Sequence, residues 1–460
     1  MKRLLLLLPV VAFLFVGPAC EEEEPGATSA PAPVATASET AGWQRTATLP
    51  FSLIYYDGHM HTTRSDGSGS VGDIKATALR RGLSAVIITD HCENLTKEKW
   101  ETLVAETAAA SDAGTFLALP AFEITGSEGI FNRGHMLAYN VSDPFVGDDV
   151  NELCHEEVWP DPPNPAGTGP MYPENLAKWA DYVHSNGGIA VHNHTSGSTR
   201  LEYGVNNIEV YNQSHIDDIF GYAKLLGYSD EEALGFAMRL NDFALYGERD
   251  VNTPARFEGQ WIPLRLGVHS ATKLLTGVGQ WLGSPEAPLN SWDQLLMAYV
   301  DGTVDTPIFA VANSDAHNTG DPDSKVGVAK NGLYVKALTA EEVYGAIKEG
   351  RSFATTGPSL AFDVNGELMG GTAHIASGGS ANLNLSVSSE SATAILVKID
   401  IIKNGEVWRT ISPMQPVYED TPVDGGVTED GYYRVEVTSQ DQPNGPYHFA
   451  WSNPVFLNVP

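Results

Sequence analysis

The chain has 460 residues, which is enough for two or three folding units with a sizeable core. Its 42% hydrophobic and 18% charged residues give the balance of an ordinary globular protein. The formal net charge of −31 argues against nucleic acid as a general partner, because an acidic surface repels phosphate backbones.

The N-terminus predicts export. Lys2 and Arg3 precede an apolar run over residues 4–16, which has the length of a signal peptide and is short for a membrane span. Small residues then precede Cys20, in an arrangement that resembles a bacterial lipobox, although Gly17 and Pro18 depart from the usual pattern. We therefore predict a lipoprotein signal peptide over residues 1–20, lipidation at Cys20 and a lipid-anchored location in the cell envelope, either periplasmic or at the cell surface. A plain signal peptide and a secreted protein are the alternative.

Residues 21–49 are rich in Glu, Ala, Pro, Ser and Thr, a composition that predicts a disordered tether between the membrane and a folded domain. Only Cys92 and Cys154 remain after lipidation of Cys20. The sequence leaves open whether these two pair in an oxidising compartment or stay as thiols.

Predicted strands and helices alternate from about residue 49. The strands are short apolar runs, and the helices carry capping signals in their first turns. We predict strands at 52–56, 85–89, 116–124, 134–141, 189–191, 208–211 and 307–312, and helices at 70–81, 173–185 and 339–348. Such alternation predicts an α/β fold with a parallel sheet or barrel.

Two segments interrupt the alternation, and a third region follows it. Residues 142–172 are rich in Pro, Gly and acidic residues, and residues 214–302 are long and mostly helical. The helical insertion either shapes a substrate pocket or adds a packed layer. Beyond about residue 357 the strands alternate without helices, and Asn404-Gly405 is a hairpin-turn dipeptide, so we predict a small antiparallel β-domain.

Polar residues gather where the predicted strands end. His59 and His61 are two residues apart after the first strand, so their rings share one face. Further candidates at strand ends are Asp66, Asp90 with His91, Glu123, His135, His192 with His194, and Asp315 with His317. The carboxyl ends of parallel strands converge on one face, and imidazoles with carboxylates but without cysteine suit zinc, manganese or iron. The pattern predicts a metal cluster.

These motifs, in this order, resemble the polymerase-and-histidinol-phosphatase (PHP) family of metal-dependent phosphoesterases. They are His-x-His-x4-Asp-Gly, Thr-Asp-His, a strand-end Glu, two later histidines and Ser-Asp-x-His, over about residues 54–357. The segments Gly350-Arg351-Ser352-Phe353 and Thr356-Gly357-Pro358 are similar to the carbaryl-hydrolase-like branch. The resemblance implies a distorted (β/α)7 barrel over residues 50–357, with its helical insertion at about 214–302, followed by a sandwich-like β-domain over residues 358–460.

The resemblance also implies two or three divalent metal ions, whether Zn, Mn or Fe. The first would be held by His59, His61, Glu123 and Asp315. Glu123 would bridge to a second ion, completed by His135 and His192, and a third would be held by Asp66, His91 and His317. Asp90 is predicted to orient a ligand histidine from behind.

The implied activity is hydrolysis of a small-molecule phosphoester by a metal-activated hydroxide, with Glu123, His192 and Asp315 as catalytic residues. The candidate substrate-binding residues are Arg64, Arg133, His194 and Arg351, and each has an alternative as an ordinary surface or loop residue. Two other functions remain open. One is hydrolysis of a carbamate, amide or carboxyl ester at the same site, and the other is non-catalytic binding in the cell envelope.

Overall fold

The fold is mixed α/β, with one large sheet and few helices. The structure, a computed structural model, describes residues 51–125, 135–141, 173–193, 204–214, 217, 224, 292–442 and 445–460. Residues 1–49, 142–172 and most of the predicted helical insertion lie outside the described residues. None of the described helices has the length and apolar character that a membrane span requires.

The first part of the described chain alternates strands with helices. Its elements are β1 (Ser52–Asp57), α1 (Val71–Arg80), β2 (Ala85–His91), a 3-10 turn (Cys92–Asn94), α2 (Lys97–Ala110), β3 (Leu117–Thr125), β4 (His135–Tyr139), α3 (Pro173–Ser185), β5 (Ile189–Asn193), β6 (Asn207–Asn212), α4 (Trp292–Val300), β7 (Phe309–Asn313), β8 (Lys330–Val335), α5 (Ala340–Lys348) and β9 (Ser352–Thr355). Every predicted strand and helix of this part overlaps one of these elements, whereas α2, β8 and β9 were not predicted. Cys92 is disulfide-bonded.

Local sequence signals explain where the helices begin. Ser70 caps α1 reciprocally with Asp73, since the Ser70 hydroxyl accepts from the Asp73 amide and the Asp73 carboxylate accepts from the Ser70 amide. Thr339 caps α5 by accepting from the Glu342 amide at 3.3 Å. The Glu342 carboxylate accepts from the amide of Lys336 instead of closing a reciprocal box.

The central strands are mostly parallel, with one reversal. β1, β2 and β3 are parallel neighbours, and so are β5, β6 and β7. The alternation predicted a parallel sheet throughout, but β4 runs antiparallel to both β3 and β5. The connection from β3 to β4, residues 126–134, is shorter than the dozen or more residues that a parallel crossover requires.

The described strands form a continuous sheet that is accompanied by few helices. β1 pairs antiparallel with β8 on the side away from β2. The chain beyond β1 meets the chain beyond β7 at an isolated parallel bridge, where the His61 amide donates to the Ala316 carbonyl at 3.0 Å. This bridge brings the ends of the first and last central strands together. The (β/α)7 barrel stays a prediction.

The C-terminal part contains only strands among its described elements. They are β10 (Ser359–Val364), β11 (Glu367–Leu368), β12 (Thr372–His374), β13 (Gly379–Ser388), β14 (Ala394–Lys403), β15 (Glu406–Ile411), β16 (Val417–Asp420), β17 (Val423–Val427), β18 (Gly431–Asp441), β19 (Tyr447–Ser452) and β20 (Val455–Asn458). Asn404 and Gly405 both have positive φ at the predicted β14–β15 hairpin, as a type I′ turn requires.

Two sheets share a core in this part. β10, β11, β13, β16 and β17 form the smaller sheet, while β14, β15, β18, β19 and β20 belong to the large one. Buried side chains from both, including Phe362, Leu385, Ile399 and Val435, form one hydrophobic cluster. β19 also pairs with β9, so the large sheet runs without a break from the central strands into the C-terminal strands.

Candidate metal centre

Two histidines and two carboxylates meet at the carboxyl ends of β1, β3 and β7. The Nε2 atom of His59 lies 3.2 Å from both Glu123 Oε2 and Asp315 Oδ1. The Nε2 atom of His61 lies 3.3 Å and 3.2 Å from the same two oxygens. All four residues are buried, although they are up to 256 positions apart in the sequence. We call His59, His61, Glu123 and Asp315 the inner cluster.

A second group borders the inner cluster and is more open. The Oδ2 atom of Asp66 lies 3.4 Å from His91 Nε2 and 3.2 Å from His317 Nε2. Its Oδ1 atom lies 3.6 Å from His61 Nδ1, so His61 stands between the two groups. The side chains of Asp66 and His317 are 52% and 37% exposed, which makes this the solvent-facing side. We call His61, Asp66, His91 and His317 the outer cluster.

Glu123 connects the inner cluster to residues on two further strands. Its Oε1 atom lies 2.6 Å from His135 Nδ1, on β4, and accepts a hydrogen bond of 2.6 Å from Asn193 Nδ2, on β5. Its Oε2 atom lies 3.3 Å from His91 Nδ1. The two oxygens of one carboxylate therefore face different donor groups, which is the arrangement of a bridging ligand.

His192 occupies the other face of β5. It is paired with Met136 on β4 and Ile208 on β6, and both of these belong to the hydrophobic cluster that includes helix residues such as Trp179 and Leu295. Because side chains alternate along a strand, Asn193 and not His192 has the orientation that faces Glu123. The structure thus places Asn193 at the inner cluster. His192 is also buried, but it lies on the face of the sheet that packs against the helices.

Glu209 is a buried carboxylate that the sequence analysis missed. Its Oε1 atom lies 2.9 Å from His59 Nδ1 and accepts from Asn313 Nδ2 at 2.8 Å. Its Oε2 atom accepts from Asn212 Nδ2 at 2.9 Å. A carboxylate behind a histidine fixes the orientation of the ring, so the Nε2 atom of His59 faces the cluster. An acidic residue within the apolar strand 208–211 was the available signal.

Two other buried aspartates anchor the loops that carry the histidines. Asp90 accepts from the Thr62 amide, the Thr62 hydroxyl and the Ser65 hydroxyl, each at 2.7 Å. Ser65 Oγ lies 3.5 Å from His61 Nδ1, so Asp90 acts on His61 through this loop. Asp57 accepts from the amides of Ser314 at 3.1 Å and Gly327 at 2.8 Å. It thereby joins the end of β1 to the loop after β7.

The buried charges shift one another's protonation. Burial would lower the pKa of His59, but Asp315, Glu209 and Glu123 outweigh it and raise the pKa well above its usual value. Burial would likewise raise the pKa of Glu123, yet His59 and His135 hold it well below its usual range. For His91, burial is outweighed by Asp66 and Glu123, and the pKa rises to about 9. Glu123 thus stays ionised, and the carboxylates around His59 and His91 favour a proton or a cation at these two histidines.

The donor set fits divalent transition-metal ions. The ligands are imidazole nitrogens and carboxylate oxygens, which zinc, manganese and iron accept. Two such ligands on one tetrahedral ion, at about 2.1 Å each, lie about 3.4 Å apart, close to the 3.2–3.3 Å separations of the inner cluster. The solvent-inaccessible Nδ1 atom of His91 lacks a hydrogen-bond partner among the described residues. When His91 Nε2 holds an ion with Asp66, Nδ1 carries the proton and faces Glu123 Oε2 at 3.3 Å.

The predicted substrate-binding residues are not gathered at this site in the described structure. Arg64 lies at its edge and pairs with Glu106 of α2 at 2.7 Å. Arg351 donates to Glu349 and to the carbonyl of Tyr334. Tyr334 pairs with Leu53 near the beginning of β1, whereas His59 follows the end of that strand, so Arg351 lies at the opposite end of β1 from the inner cluster. Arg133, His194 and Cys20 lie outside the described residues.

No family model matches the chain. A stretch of 136 residues is 29% identical to an uncharacterized protein of Chlamydia pneumoniae, covering 26% of this chain and 21% of that protein. The chain thus spans about a fifth of the length of this relative.

The chain is also similar to three solved structures. One is a two-domain protein of Bacteroides vulgatus containing a predicted PHP-like metal-dependent phosphoesterase, at 13% identity over 85% of this chain and 91% of that one, with a TM-score of 0.38. A protein of Bifidobacterium adolescentis, assigned provisionally as a metal-dependent phosphoesterase, is 18% identical. The match covers 49% of this chain and 96% of that protein, with a TM-score of 0.21. An amidohydrolase of Chromobacterium violaceum with bound sulfate is 17% identical. The match covers 39% of this chain and 84% of that protein, with a TM-score of 0.24.

Proposed function

We propose that this chain is a metal-dependent hydrolase whose preferred substrates are small phosphoesters. The observation that carries the proposal is the junction at Glu123, where one carboxylate contacts His59, His61 and His91 through Oε2 and His135 through Oε1. A buried ion-pair network that served only stability would not need several imidazoles aimed at shared carboxylate oxygens. Such convergence is what a multinuclear metal site requires.

Two or three ions would be held by these residues. The inner cluster would hold one, Asp66 with His91 and His317 would hold another, and Glu123 with His135 would contribute to a further one. When bound, Zn, Mn or Fe ions would supply Lewis acidity and lower the pKa of water to near neutrality. Because His61 has one lone pair when neutral, it can be a ligand through Nε2 while its Nδ1 proton faces Asp66.

The residues around the ligands define how a substrate approaches. His59, His61 and Glu123 are fully buried, so solvent does not reach these three ligands directly. Asp66 and His317 are the exposed ligands, and a substrate therefore enters over the outer cluster. Glu209 and Asp90 hold His59 and the loop after His61 in place, so the donors need little reorganisation during the reaction.

Phosphoesters are preferred over other substrates because the order of motifs along the sequence resembles the PHP phosphoesterases. The same donors could serve attack on a carbamate, amide or carboxyl ester. We also propose that the protein is exported and lipid-anchored through Cys20, which would place its substrates in the cell envelope.

Metal content and a substrate panel test the proposal together. Elemental analysis of the purified full-length chain should find bound transition metal, and a His59→Ala/Asp315→Ala double variant should lose most of it. Phosphomonoesters, phosphodiesters, aryl carbamates and amides would be assayed with added Mn²⁺ or Zn²⁺. His374→Ala, a substitution of an exposed histidine on β12, is the matched control. Absence of metal would refute the hydrolase, whereas metal-dependent activity confined to carbamates or amides would refute only the phosphoester preference.

A further inference from the structure

A separate group of metal-binding side chains lies among the C-terminal strands. Glu390 in the β13–β14 loop, Asp441 at the end of β18 and His448 on β19 each place one ligand atom within 4.8 Å of the others. Ser439 is directly opposite His448 in the β18–β19 pair, and Asp441 is two residues farther along the same face. The hairpin therefore presents two ligands side by side, and the loop adds the third.

The three ligand atoms are spaced to share an ion and not to hydrogen-bond with one another. The Nε2 atom of His448 lies 3.7 Å from Glu390 Oε1 and 3.5 Å from Asp441 Oδ2. Ligands on one tetrahedral ion are about 3.4 Å apart. Among the described residues, neither His448 Nε2 nor Glu390 Oε1 has a hydrogen-bond partner, although both atoms are inaccessible to solvent. Leaving two buried polar atoms unsatisfied is costly, and a bound cation would satisfy both.

The surroundings orient the ligands towards the gap between them. His448 Nδ1 lies 3.2 Å from the Thr356 carbonyl, which can accept only if Nδ1 carries the proton, so Nε2 presents its lone pair to the carboxylates. The Ser439 hydroxyl donates to Glu390 Oε2 at 2.6 Å and leaves Oε1 for the gap. A Cβ atom at Gly357 would lie 2.8 Å from His448 Cβ and 3.0 Å from Glu390 Oε2. The Thr356-Gly357 segment thus packs closely against these ligands.

We propose that Glu390, Asp441 and His448 bind a divalent transition-metal ion that ties the β13–β14 loop to the β18–β19 hairpin. One nitrogen and two oxygen donors without a thiolate suit Zn²⁺ or a neighbouring first-row ion. The Asp441 side chain is 39% exposed, so water can complete the coordination from the solvent side. None of the three residues belongs to the inner or outer cluster, and this site does not depend on the proposed hydrolase activity.

Zinc stoichiometry of the full-length chain tests the site. Each protein would be stripped of metal with a chelator and reloaded with ZnCl₂, and native mass spectrometry would count the bound Zn²⁺ ions. The proteins compared are wild type, Glu390→Gln, Asp441→Asn, His448→Gln and the control His374→Gln. The three site variants should bind one Zn²⁺ fewer per chain than wild type and the control. They should also lose part of the zinc-dependent rise in Tm.

The rival arrangement is His448 beside the two carboxylates without a metal ion. It predicts the same zinc count in all five proteins, and that result would overturn the proposal. Circular dichroism checks that each variant is folded. If His448→Gln fails to fold, the more exposed Asp441→Asn still decides between the two arrangements.

Discussion

The Nδ1 atom of His59 lies 2.9 Å from Oε1 of Glu209, a residue 150 positions later in the chain. The opposite ring nitrogen, Nε2, faces Glu123 and Asp315. Asn212 and Asn313 donate to the two oxygens of Glu209 and hold its carboxylate in this position. The orientation of a ligand at the end of β1 is therefore fixed by residues of β6 and β7.

Glu209→Gln should lower the affinity of the centre for Zn²⁺ by about 10-fold to 100-fold. The carboxylate offers two acceptors to donors from His59, Asn212 and Asn313, whereas an amide offers one acceptor and turns an NH₂ group towards one of those donors. Competition with a chromogenic chelator measures the affinity. Glu367→Gln, on the exposed side of β11, is the matched control and should keep wild-type affinity. An unchanged affinity in Glu209→Gln would show that Glu209 does not position His59.

Much of the candidate centre could be predicted because it is encoded locally. Five of its residues lie at or just beyond the ends of apolar strands, where a polar side chain indicates a functional role. They are His59, His61, His91, Glu123 and Asp315. The structure brings these five together. Glu209 was missed since it lies inside its strand, and only the fold shows that the strand passes behind His59.

Other features depend on information that a single segment does not contain, so the sequence could not decide them. His192 and Asn193 are adjacent polar residues at the end of β5, and which of them faces the cluster depends on the register with β4. The direction of β4 depends on the length of its connection. α2 has a mostly polar surface and buries only Trp100, Leu103 and Thr107, so its periodicity is weak.

Gly67→Ala should reduce metal content and activity at least 10-fold while the protein stays folded. A Cβ atom at Gly67 would lie 2.1 Å from the His61 carbonyl oxygen and 2.8 Å from the Thr62 amide nitrogen, so the backbone of the ligand loop must shift. Gly72→Ala is the control. Gly72 lies in helix α1, and an added Cβ atom there would lie 3.6 Å from the Ser70 hydroxyl, an ordinary van der Waals contact. That variant should be neutral or more stable by up to about 1 kcal/mol. Equal metal content in both variants would contradict the expected displacement of His61.

The stability of the metal-free protein should fall as the pH rises from about 6.5 to about 9. The pKa of His91 is about 9 in the folded chain, above its ordinary value of 6.5, so the folded state binds this proton more tightly than the unfolded state. The contribution is complete below pH 6.5, is lost as the pH passes 9, and amounts to about 3 kcal/mol at most. Urea unfolding of chelator-treated protein at several pH values measures it.

Zn²⁺ affinity should change in the opposite direction over the same interval, because a ligand histidine must lose its proton before it binds. His91→Gln should flatten the pH dependence of both stability and affinity. A slope in the variant equal to that of wild type would assign the effect to another group.

Arg434→Met should destabilise the protein by about 3–5 kcal/mol. Arg434 is fully buried, donates to both oxygens of Asp293 at 2.7 Å and 2.6 Å, and lies 4.8 Å from the ring of Trp292, so it joins α4 to β18. Its removal leaves the buried Asp293 carboxylate without its cation. Arg409→Met removes an exposed pair with Asp420 at 3.4 Å and should cost less than about 1 kcal/mol. Urea denaturation of the two variants compares them directly, and similar midpoints would mean that the contact between α4 and β18 contributes little to stability.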